Sequence, residues 1–412
     1  MTLMSNEKKS ITGSKSGDKA LERYVDMLTA RLKEIKASDW KKGWIGMNRK
    51  FGWPQNMRGG HYNGTNVFFL QLDASSNNYR TPVYLTYNQA KKNGLWINNA
   101  KDYMPVTFYD TRYYMKREYR QTEEDNKSIE YKDWNSLPKS EKDKYDSYTV
   151  MRAFLVYNLD QSNAETEKPE LYQKYLDKFF ERQTFTDKEG LYENPVLDRM
   201  IANQDWLCRF KEDQYTQYPC YMPGKDIIVM PKKEQYKTGN TPEELLVQGQ
   251  IYYATLIHEM VHSLGTPDRL NRDTLIYYSD HENRAKEELT AELGSAIVCN
   301  MLGFDSKIDD RHVAYFDSWL RALENDPKYL KSVLSNVKKS ITPIIEKYDK
   351  ISTELGLQPI LGESNKVSVK ETNEKNLSSK EQKGKKASLD IPDNMVERKT
   401  SRSRKRSTSL SR

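Results

Sequence analysis

Residues 258–262 read His-Glu-Met-Val-His, and their spacing predicts chemistry more directly than any other part of the chain. Histidines four positions apart lie on one face of a helix, so His258 and His262 can hold one metal ion between them. The apolar residues of IYYATLIHEMVHSL predict that this helix is largely buried. We expect a divalent metal site, with Zn2+ as the expected ion and Mn2+ or another divalent metal as the alternative.

A metal site of this kind needs a third protein ligand and keeps one position open for water. The helix predicted at ENRAKEELTAELGSAIVCNMLG offers three acids, Glu287, Glu288 and Glu292. The segment EELTAE resembles zincins whose third ligand is a Glu with a second acid four residues further on. This resemblance implies Glu288 as the ligand and Glu292 as the acid that orients a ligand histidine. The pattern alone leaves the order of the three acids open, and His281 is an alternative third ligand.

Glu259 directly follows the first histidine and is predicted to act as the catalytic base on metal-bound water. A metal ion lowers the pKa of its bound water toward about 7, and a carboxylate beside it can accept the proton and pass it to a leaving amine. The expected chemistry is hydrolysis, with an amide bond as its commonest target. Two alternatives stay open: a metal domain that is structural or protective, and a peptidase-like interaction protein whose site is a relic.

The composition is that of a chain from a reducing, aqueous compartment. Its 412 residues include 28 Tyr and 7 Trp, which can fill cores although the hydrophobic fraction is only 36%. No apolar run approaches the roughly 20 residues that cross a bilayer, and the three cysteines form no Cys-x-x-Cys pair. We therefore expect a cytoplasmic protein with no membrane partner. The C-terminal end is strongly basic and either contacts nucleic acid or is simply solvated.

Hydrophobic periodicity predicts a mixture of helices and strands. Apolar positions at helical spacing predict a helix over 21–35, whereas the apolar run 67–74 fits either a helix or a buried strand. Aromatic and β-branched runs predict strands at 105–110 and 151–159, and the segment 220–231, bounded by prolines, predicts a strand pair or a strand edge. The charged stretch 117–148 is expected to be an excursion between the first two strands.

The stretch from Trp40 to Trp96 combines aromatic rings with Arg and Lys around several glycines. Rings can stack on bases and cations can neutralise phosphates, and this combination is typical of single-stranded nucleic acid binding. An aromatic core with an ordinary basic surface would give the same composition. The residues expected to contact DNA are Trp53, Arg58, Tyr62, Arg80, Lys91 and Lys92.

The succession of motifs along the chain resembles the ArdC family of antirestriction proteins from conjugative plasmids and related mobile elements. A Gly/Asn-rich loop is followed by VFFLQL, and its matching positions are Gly52, Pro54, Asn56, Gly59, Tyr62, Gly64 and Asn66. The later motifs appear as YRTPVYLTYNQA (with Tyr84 where Trp is usual), FLVYNLDQ, YMPGKDIIVMP, YYATLIHEMVH with RLNRD and EELTAELG, and AYFDSWLRALENDP. The resemblance covers roughly residues 20–350.

This resemblance implies an α+β protein with two domains, a single-stranded DNA (ssDNA)-binding domain and a zincin-like metallopeptidase domain. It also implies protection of incoming DNA from restriction, with ssDNA and a protein substrate or restriction enzyme as partners. The expected boundaries are a disordered leader at 1–18, the ssDNA-binding domain at 19–160, a linker region at 161–200, the metallopeptidase domain at 201–352 and a disordered basic tail at 353–412.

The chain departs from the family pattern at one place. The family often carries a basic V-R-K-G-E-K-G loop after the Gln-Ala helix, and this chain has WINNAKDYMP there, with Lys101 as the only cation. We therefore expect the neighbourhoods of Arg58 and Arg80 to carry more of any DNA contact.

Overall fold

The structure, a computed structural model, describes residues 15–38, 43–44, 54–176, 184–306 and 310–361. All of them fall within one compact unit of the chain. The helices of this part are α1 (Lys15–Ala37), α2 (Thr65–Ser76), α3 (Tyr87–Lys92), α4 (Tyr131–Ser136), α5 (Lys139–Lys142), α6 (Ala164–Glu167), α7 (Pro169–Leu176), α8 (Pro195–Ala202), α9 (Pro242–Ser263), α10 (Asp273–Ile276), α11 (His281–Met301), α12 (Phe316–Asn325) and α13 (Pro327–Glu354). The strands are β1 (Gln55–Asn56), β2 (Val83–Leu85), β3 (Met104–Met115), β4 (Ile129–Glu130), β5 (Tyr145–Asn158), β6 (Phe185–Thr186), β7 (Tyr192–Glu193), β8 (Arg209–Glu212), β9 (Cys220–Met222) and β10 (Ile227–Met230).

The N-terminal half is built around a five-stranded sheet in the order β1-β2-β5-β3-β4. Strand β1 is parallel to β2, and the other pairings are antiparallel. Helix α2 contains the apolar run 67–74, so this run is a helix, and its residues from Val67 to Ala74 are all buried. Strand β3 contains the predicted strand at 105–110, and β5 covers all but the last residue of 151–159, so both strands are confirmed.

Strands β3 and β5 continue well beyond the core as a two-stranded arm. Only the first four residues of β3 are buried, and the rest are partly or largely exposed. The charged excursion between the strands adds β4 and two short helices, and the Tyr113 ring stacks on Trp134 with ring centroids 4.4 Å apart. The expected excursion at 117–148 thus forms a small aromatic cap at the end of this arm, except that 145–148 already belong to β5.

The C-terminal half places helices beside a three-stranded sheet in the order β8-β10-β9. Strand β9 is antiparallel to β10 and lies at the sheet edge, so the strand pair predicted at 220–231 is confirmed. Helix α9 carries the His-Glu-Met-Val-His segment, and α11 carries the three acids that follow it.

The local sequence explains where α9 and α11 begin and how closely they pack. Thr241 and Glu244 form a reciprocal capping box at the start of α9, which satisfies two of its free N–H groups. The two helices approach closely at Gly294, where a Cβ would lie 2.9 Å from a methyl group of Val261. The Ser295 hydroxyl also donates to the Ala254 carbonyl across this contact at 2.6 Å. This packing brings the acids of α11 against the histidines of α9.

One continuous apolar cluster joins the two halves of the described chain. It includes Leu28 of α1, Phe69 of α2, Ile257 of α9 and Val337 of α13. Two ion pairs also tie α1 to α12, at the helix surface. The N-terminal sheet and the C-terminal helices are therefore packed into one body.

The expected leader at 1–18 is wrong at its C-terminal end. Helix α1 begins at Lys15, so its first turn lies inside that segment. Asp18 sits in this first turn, where a negative charge interacts favourably with the positive end of the helix dipole.

The expected tail at 353–412 is wrong at its N-terminal end. Helix α13 runs to Glu354, and the chain then turns back so that Ile360 is buried. The N–H groups of Ile360 and Leu361 both donate to the Asp349 carboxylate, which holds this return against α13. The linker region predicted at 161–200 carries α6, α7, β6, β7 and most of α8 in its described part, and the remaining boundaries stay predictions.

Candidate functional site

His258, His262 and Glu288 converge in the interior between α9 and α11, and all three are buried. The two Nε2 atoms are 3.0 Å apart, and the Glu288 Oε2 lies 3.3 Å from the Nε2 of His258 and 3.7 Å from that of His262. With metal–ligand bonds of about 2.0–2.1 Å, ligand atoms on a tetrahedral ion are about 3.3 Å from one another. The three separations bracket this value, so the residues fit the donor set of a divalent metal. No other group of this type occurs in the part of the chain that the structure describes.

A buried polar network holds His262 from the side away from the site. Its Nδ1 lies 3.1 Å from Glu287 Oε1, and Glu287 in turn accepts from Arg272 Nε at 3.0 Å and from the Thr274 hydroxyl at 2.5 Å. An anionic acceptor at Nδ1 places the ring proton there and leaves Nε2 as the ligand atom. Glu287, which the sequence offered as a candidate ligand, therefore faces the outer nitrogen of His262.

Charge and burial act in opposite directions on this network. Burial alone would lower the pKa of His262, but the Glu288 charge and the hydrogen bonds to Glu287 and Glu288 outweigh it and raise the pKa to about 10. Burial likewise opposes ionisation of Glu287, but His262 and Arg272 lower its pKa to about 2. In the metal-free state the site thus holds a cationic imidazole between carboxylates, and a metal ion would take the place of that proton.

The outer nitrogen of His258 faces Glu292. Its Nδ1 lies 3.9 Å from Glu292 Oε1, while the other carboxylate oxygen accepts from the Trp44 indole at 3.3 Å. Because 3.9 Å is longer than a hydrogen bond, the expected role of Glu292 as an orienting acid stays a prediction. His281, the alternative ligand, lies at the exposed first turn of α11, outside the group formed by the other three residues.

Glu259 is buried and is held by the edge strand β9. The backbone N–H of Tyr221 donates to Glu259 Oε2 at 2.7 Å, which orients the carboxylate. The Tyr221 hydroxyl donates to Asp226 at 2.7 Å and so fixes the strand at its other side. A buried carboxylate next to the first histidine can accept a proton, which is the role predicted for Glu259.

Tyr278 and Arg272 are site residues that the sequence reasoning missed. The Tyr278 hydroxyl donates to Glu288 Oε1, and burial together with this carboxylate raises the Tyr278 pKa. Both residues lie in the connection between α9 and α11, which has no helical or strand periodicity. The RLNRD segment contains Arg272 and could have indicated it only as a cation near the acids.

The residues expected to contact DNA have different surroundings. Trp53 lies outside the described residues. Arg58 is exposed on a tight turn, where its N–H donates to Asn56 Oδ1 at 2.8 Å. The Tyr62 ring packs against the main core and is only partly exposed, and burial raises its pKa. Arg80 pairs with Glu165, and its guanidinium lies 5.2 Å from the Tyr172 ring centroid.

Lys91 and Lys92 are exposed in the last turn of α3, close to the turn that carries Arg58. The link between these elements is Asn93, whose Nδ2 lies 3.8 Å from the sulfur of Met57. Just beyond them Trp96 is 56% exposed, although its backbone is fixed by hydrogen bonds to Asn163. Arg58, Lys91, Lys92 and Trp96 are thus exposed on neighbouring segments of the chain, and we call these four residues the basic patch. Trp96 was not among the expected DNA contacts, because composition does not separate exposed rings from buried ones.

Two family models match the chain in succession. Residues 18–157 match the N-terminal domain of the anti-restriction factor ArdC, and residues 196–333 match a zincin-like metallopeptidase. The metal-free crystal structure of the antirestriction protein ArdC from plasmid R388 is similar, with a TM-score of 0.52, 24% identity, and coverage of 82% of this chain and 98% of that chain. The Mn(II)-bound structure of that protein gives a TM-score of 0.50 at 24% identity, covering 80% and 98%.

Curated sequences show a similar relationship. DNA primase TraC of Escherichia coli is 27% identical over 323 residues, which make up 78% of this chain and 26% of TraC. A second match to a DNA primase TraC of Escherichia coli is 37% identical over 107 residues, 26% of this chain and 7% of that protein. The chain thus spans at most about a quarter of these two relatives. The uncharacterized protein y4eC of Sinorhizobium fredii is 23% identical over 319 residues, 77% of this chain and 89% of y4eC.

The fold and the site define an α+β protein in which an ArdC-type N-terminal domain precedes a zincin-like metallopeptidase domain. Residues 18–157 belong to the family of ArdC N-terminal domains, and residues 196–333 belong to the family of zincin-like metallopeptidases. Of the helices that the structure describes, none has both the length and the apolar character of a bilayer span.

Proposed function

We propose that the protein is an antirestriction protein of a mobile element, which binds ssDNA through its N-terminal domain and a divalent metal ion through its zincin-like domain. It would protect incoming DNA from restriction. The observation that carries the metal assignment is the convergence of His258, His262 and Glu288 at the ligand separations of a tetrahedral ion. The match of residues 18–157 to the ArdC N-terminal domain supports the DNA-binding role.

We propose Zn2+ as the ion, with Mn2+ as the alternative. Two imidazole nitrogens and one carboxylate oxygen are a donor set typical of catalytic zinc. The alternative is supported by the similar ArdC protein of plasmid R388, for which a Mn(II)-bound crystal structure exists. Under either assignment His258, His262 and Glu288 hold the ion.

A second candidate function is metal-dependent hydrolysis of a protein substrate near DNA, such as a restriction enzyme. When bound, the ion would act as a Lewis acid and lower the pKa of a bound water. Glu259 would accept a proton from the attacking water and deliver it to the leaving amine. Tyr221 holds the Glu259 carboxylate through its backbone N–H at 2.7 Å, so the base is already oriented in the folded protein. The intact and oriented Glu259 is what favours this function over a relic site.

The basic patch of Arg58, Lys91, Lys92 and Trp96 supports ssDNA binding through the N-terminal domain. The Trp96 ring is accessible, and its anchored backbone limits the conformational freedom that would be lost on stacking. Lys91 and Lys92 are exposed and can neutralise phosphates. Neither contact reads a base edge, so we expect little sequence preference.

Fluorescence anisotropy of a labelled oligothymidylate, measured over a range of salt concentrations, tests the DNA-binding role. Trp96→Ala should cost about 1–3 kcal/mol of binding free energy. Arg58→Ala should lower the salt slope by about 0.7, the value for one phosphate contact on a single strand. Tyr215→Ala is the matched control, because Tyr215 is an 86% exposed ring in the other half of the chain.

The basic C-terminal end could produce the same result without the N-terminal domain. A protein that ends at Ser364 therefore has to be measured beside the full chain, since residues up to this point form one compact unit. We expect it to keep binding at low salt, with the same dependence on Trp96. Loss of all binding in this shorter protein, with binding by a peptide of residues 365–412, would refute the proposed DNA-binding role.

A further inference from the structure

Trp44 belongs to the N-terminal family match, yet its indole lies at the candidate metal centre of the C-terminal domain. The side chain is completely buried, and its Nε1 donates to Glu292 Oε2 at 3.3 Å. The same carboxylate presents its other oxygen to His258 Nδ1 at 3.9 Å. A residue far away in the sequence thus contacts the acid that faces a candidate metal ligand.

The segment formed by Gly43 and Trp44 contacts α1, α2 and the residues that follow α11. Arg31 of α1 donates from Nε to the Trp44 carbonyl at 2.9 Å and from a terminal nitrogen to the Gly43 carbonyl at 2.6 Å. The Trp44 N–H donates to the Ser306 carbonyl at 3.0 Å, and the indole packs edge-on against Phe68 of α2 at 6.1 Å between ring centroids. The segment lies so close to the residues after α11 that a Cβ at Gly43 would be 2.2 Å from a carboxylate oxygen.

The chemistry of this contact restricts Glu292. An indole N–H can only donate, so the Glu292 oxygen in this contact acts as the acceptor. With one oxygen held by Trp44, rotation of the carboxylate would break this bond, and the other oxygen stays directed toward His258. Outer partners of this kind fix the orientation of a ligand histidine and thereby affect metal affinity.

We propose that Trp44 is a positioning residue, contributed by the N-terminal domain, that holds Glu292 against His258 and so sets the metal affinity of the C-terminal domain. The inference rests on the proposed metal site at His258, His262 and Glu288. The side chains that hold the metal ligands in place then come from both domains, and the metallopeptidase domain alone does not supply all of them.

The test compares Trp44→Phe with the parent in the full-length protein. Phenylalanine keeps an aromatic ring in the pocket but removes the N–H donor. We expect the dissociation constant for Zn2+, measured by chelator competition, to rise about tenfold, at the lower end of the effect of outer partners. The visible spectrum of the Co2+-substituted protein should also change, because the orientation of a ligand ring changes.

Tyr24→Phe is the matched control. It also removes one buried donor from the N-terminal half, since the Tyr24 hydroxyl donates to the Pro105 carbonyl at 2.7 Å, and its ring stacks on Phe69 of α2. This variant should lose stability while its Zn2+ dissociation constant and Co2+ spectrum stay those of the parent. In a Glu292→Ala background, which removes the acceptor of the indole N–H, Trp44→Phe should cause no further weakening, because both changes act through one contact.

Unchanged metal affinity and an unchanged Co2+ spectrum in a folded Trp44→Phe protein would overturn the inference. If that variant does not fold, Arg31→Lys provides the test. It loosens the clamp on the Gly43 and Trp44 carbonyls without touching the indole, and it should weaken Zn2+ binding by a smaller factor. Equal binding in Arg31→Lys and the parent would then overturn it. A parent protein that binds no divalent metal would instead refute the proposed function.

Discussion

Replacement of Glu288 by Gln tests the metal site most directly, because it keeps the side-chain volume and removes the anionic oxygen. At a free metal concentration of 100 Kd, binding to the folded state stabilises it by about 2.7 kcal/mol. A folded unit of roughly 300 residues has an unfolding entropy of about 0.6 kcal/mol/K, so metal should raise the Tm of the parent by ~4 °C. In Glu288→Gln this increment should fall below about 1 °C, since the ligand atom that lies 3.3 and 3.7 Å from the two imidazoles is lost.

Glu259→Gln is the matched comparison. Its side chain can still accept the Tyr221 N–H through an amide oxygen, and Glu259 is not part of the ligand group. We therefore expect the full ~4 °C increment and one metal per chain, together with loss of any hydrolytic activity. The increment is the quantity to compare, because Glu288→Gln also breaks a buried pair with His262 and lowers the metal-free Tm itself.

Differential scanning calorimetry with chelator and with Zn2+ gives the increments, and elemental analysis gives the stoichiometry. Retention of one metal per chain and the full increment in Glu288→Gln would refute the ligand assignment. If Glu292→Gln loses the metal while Glu288→Gln keeps it, the two roles are reversed.

Three further predictions concern stability, each measured by urea unfolding. Burial raises the pKa of Asp73 to about 7, so the folded state binds more protons than the unfolded state between about pH 4 and 7, and stability falls as pH rises through this window. Asp73→Asn should abolish this fall in the free energy of unfolding, which is on the order of 2–4 kcal/mol in the parent. Identical pH profiles in variant and parent would contradict this. Gly249→Ala should cost about 2–3 kcal/mol, because its Cβ would lie 2.3 Å from a backbone nitrogen of β7, whereas Gly224→Ala has open space and should be neutral. Arg272→Met should cost about 3–5 kcal/mol, because it leaves Glu287 buried without its cation, and a loss below about 1 kcal/mol would argue against the pairing.

Features encoded in local spacing could be predicted from the sequence. The helix over 258–262 follows from a four-residue repeat of histidines on an apolar background, and α9 carries it. The strand pair at 220–231 follows from two apolar runs separated by a turn, and β9 and β10 form it. In both cases the information lies within one or two turns or strands, so no distant residue is needed to predict the element.

The assignment of the three acids on α11 depended on more than spacing. Glu287 and Glu288 are adjacent and point in different directions from the helix, so their roles depend on how α11 is rotated against α9. That rotation is set by the close approach at Gly294 and by Arg272, which arrives from a connection without regular periodicity. The sequence could therefore supply the set of acids, whereas only the packing distinguishes the acid at His262 Nδ1 from the acid between the imidazoles.

The two ends of the fold were mispredicted for a similar reason. Composition marked both terminal segments as polar overall, but Ser16 in the first turn of α1 accepts from the Ala153 N–H and the return after α13 donates to Asp349. A segment needs few apolar residues to fold if its backbone donors are satisfied by a side chain already in place. Polarity alone therefore overestimated the extent of both terminal segments.

Trp44 and Trp96 show why the aromatic stretch of the N-terminal half resists interpretation from sequence alone. Both stand among glycines and basic residues, yet Trp44 is 0% exposed and Trp96 is 56% exposed. A buried indole whose N–H meets a carboxylate and an exposed indole beside lysines have different uses, positioning in one case and stacking in the other. The Trp44 ring packs into the same core as α1, α9 and α11, whereas the Trp96 ring of the same domain is exposed to solvent. The division into two domains therefore applies to the order of the sequence motifs. The residues that surround the candidate metal centre come from both domains.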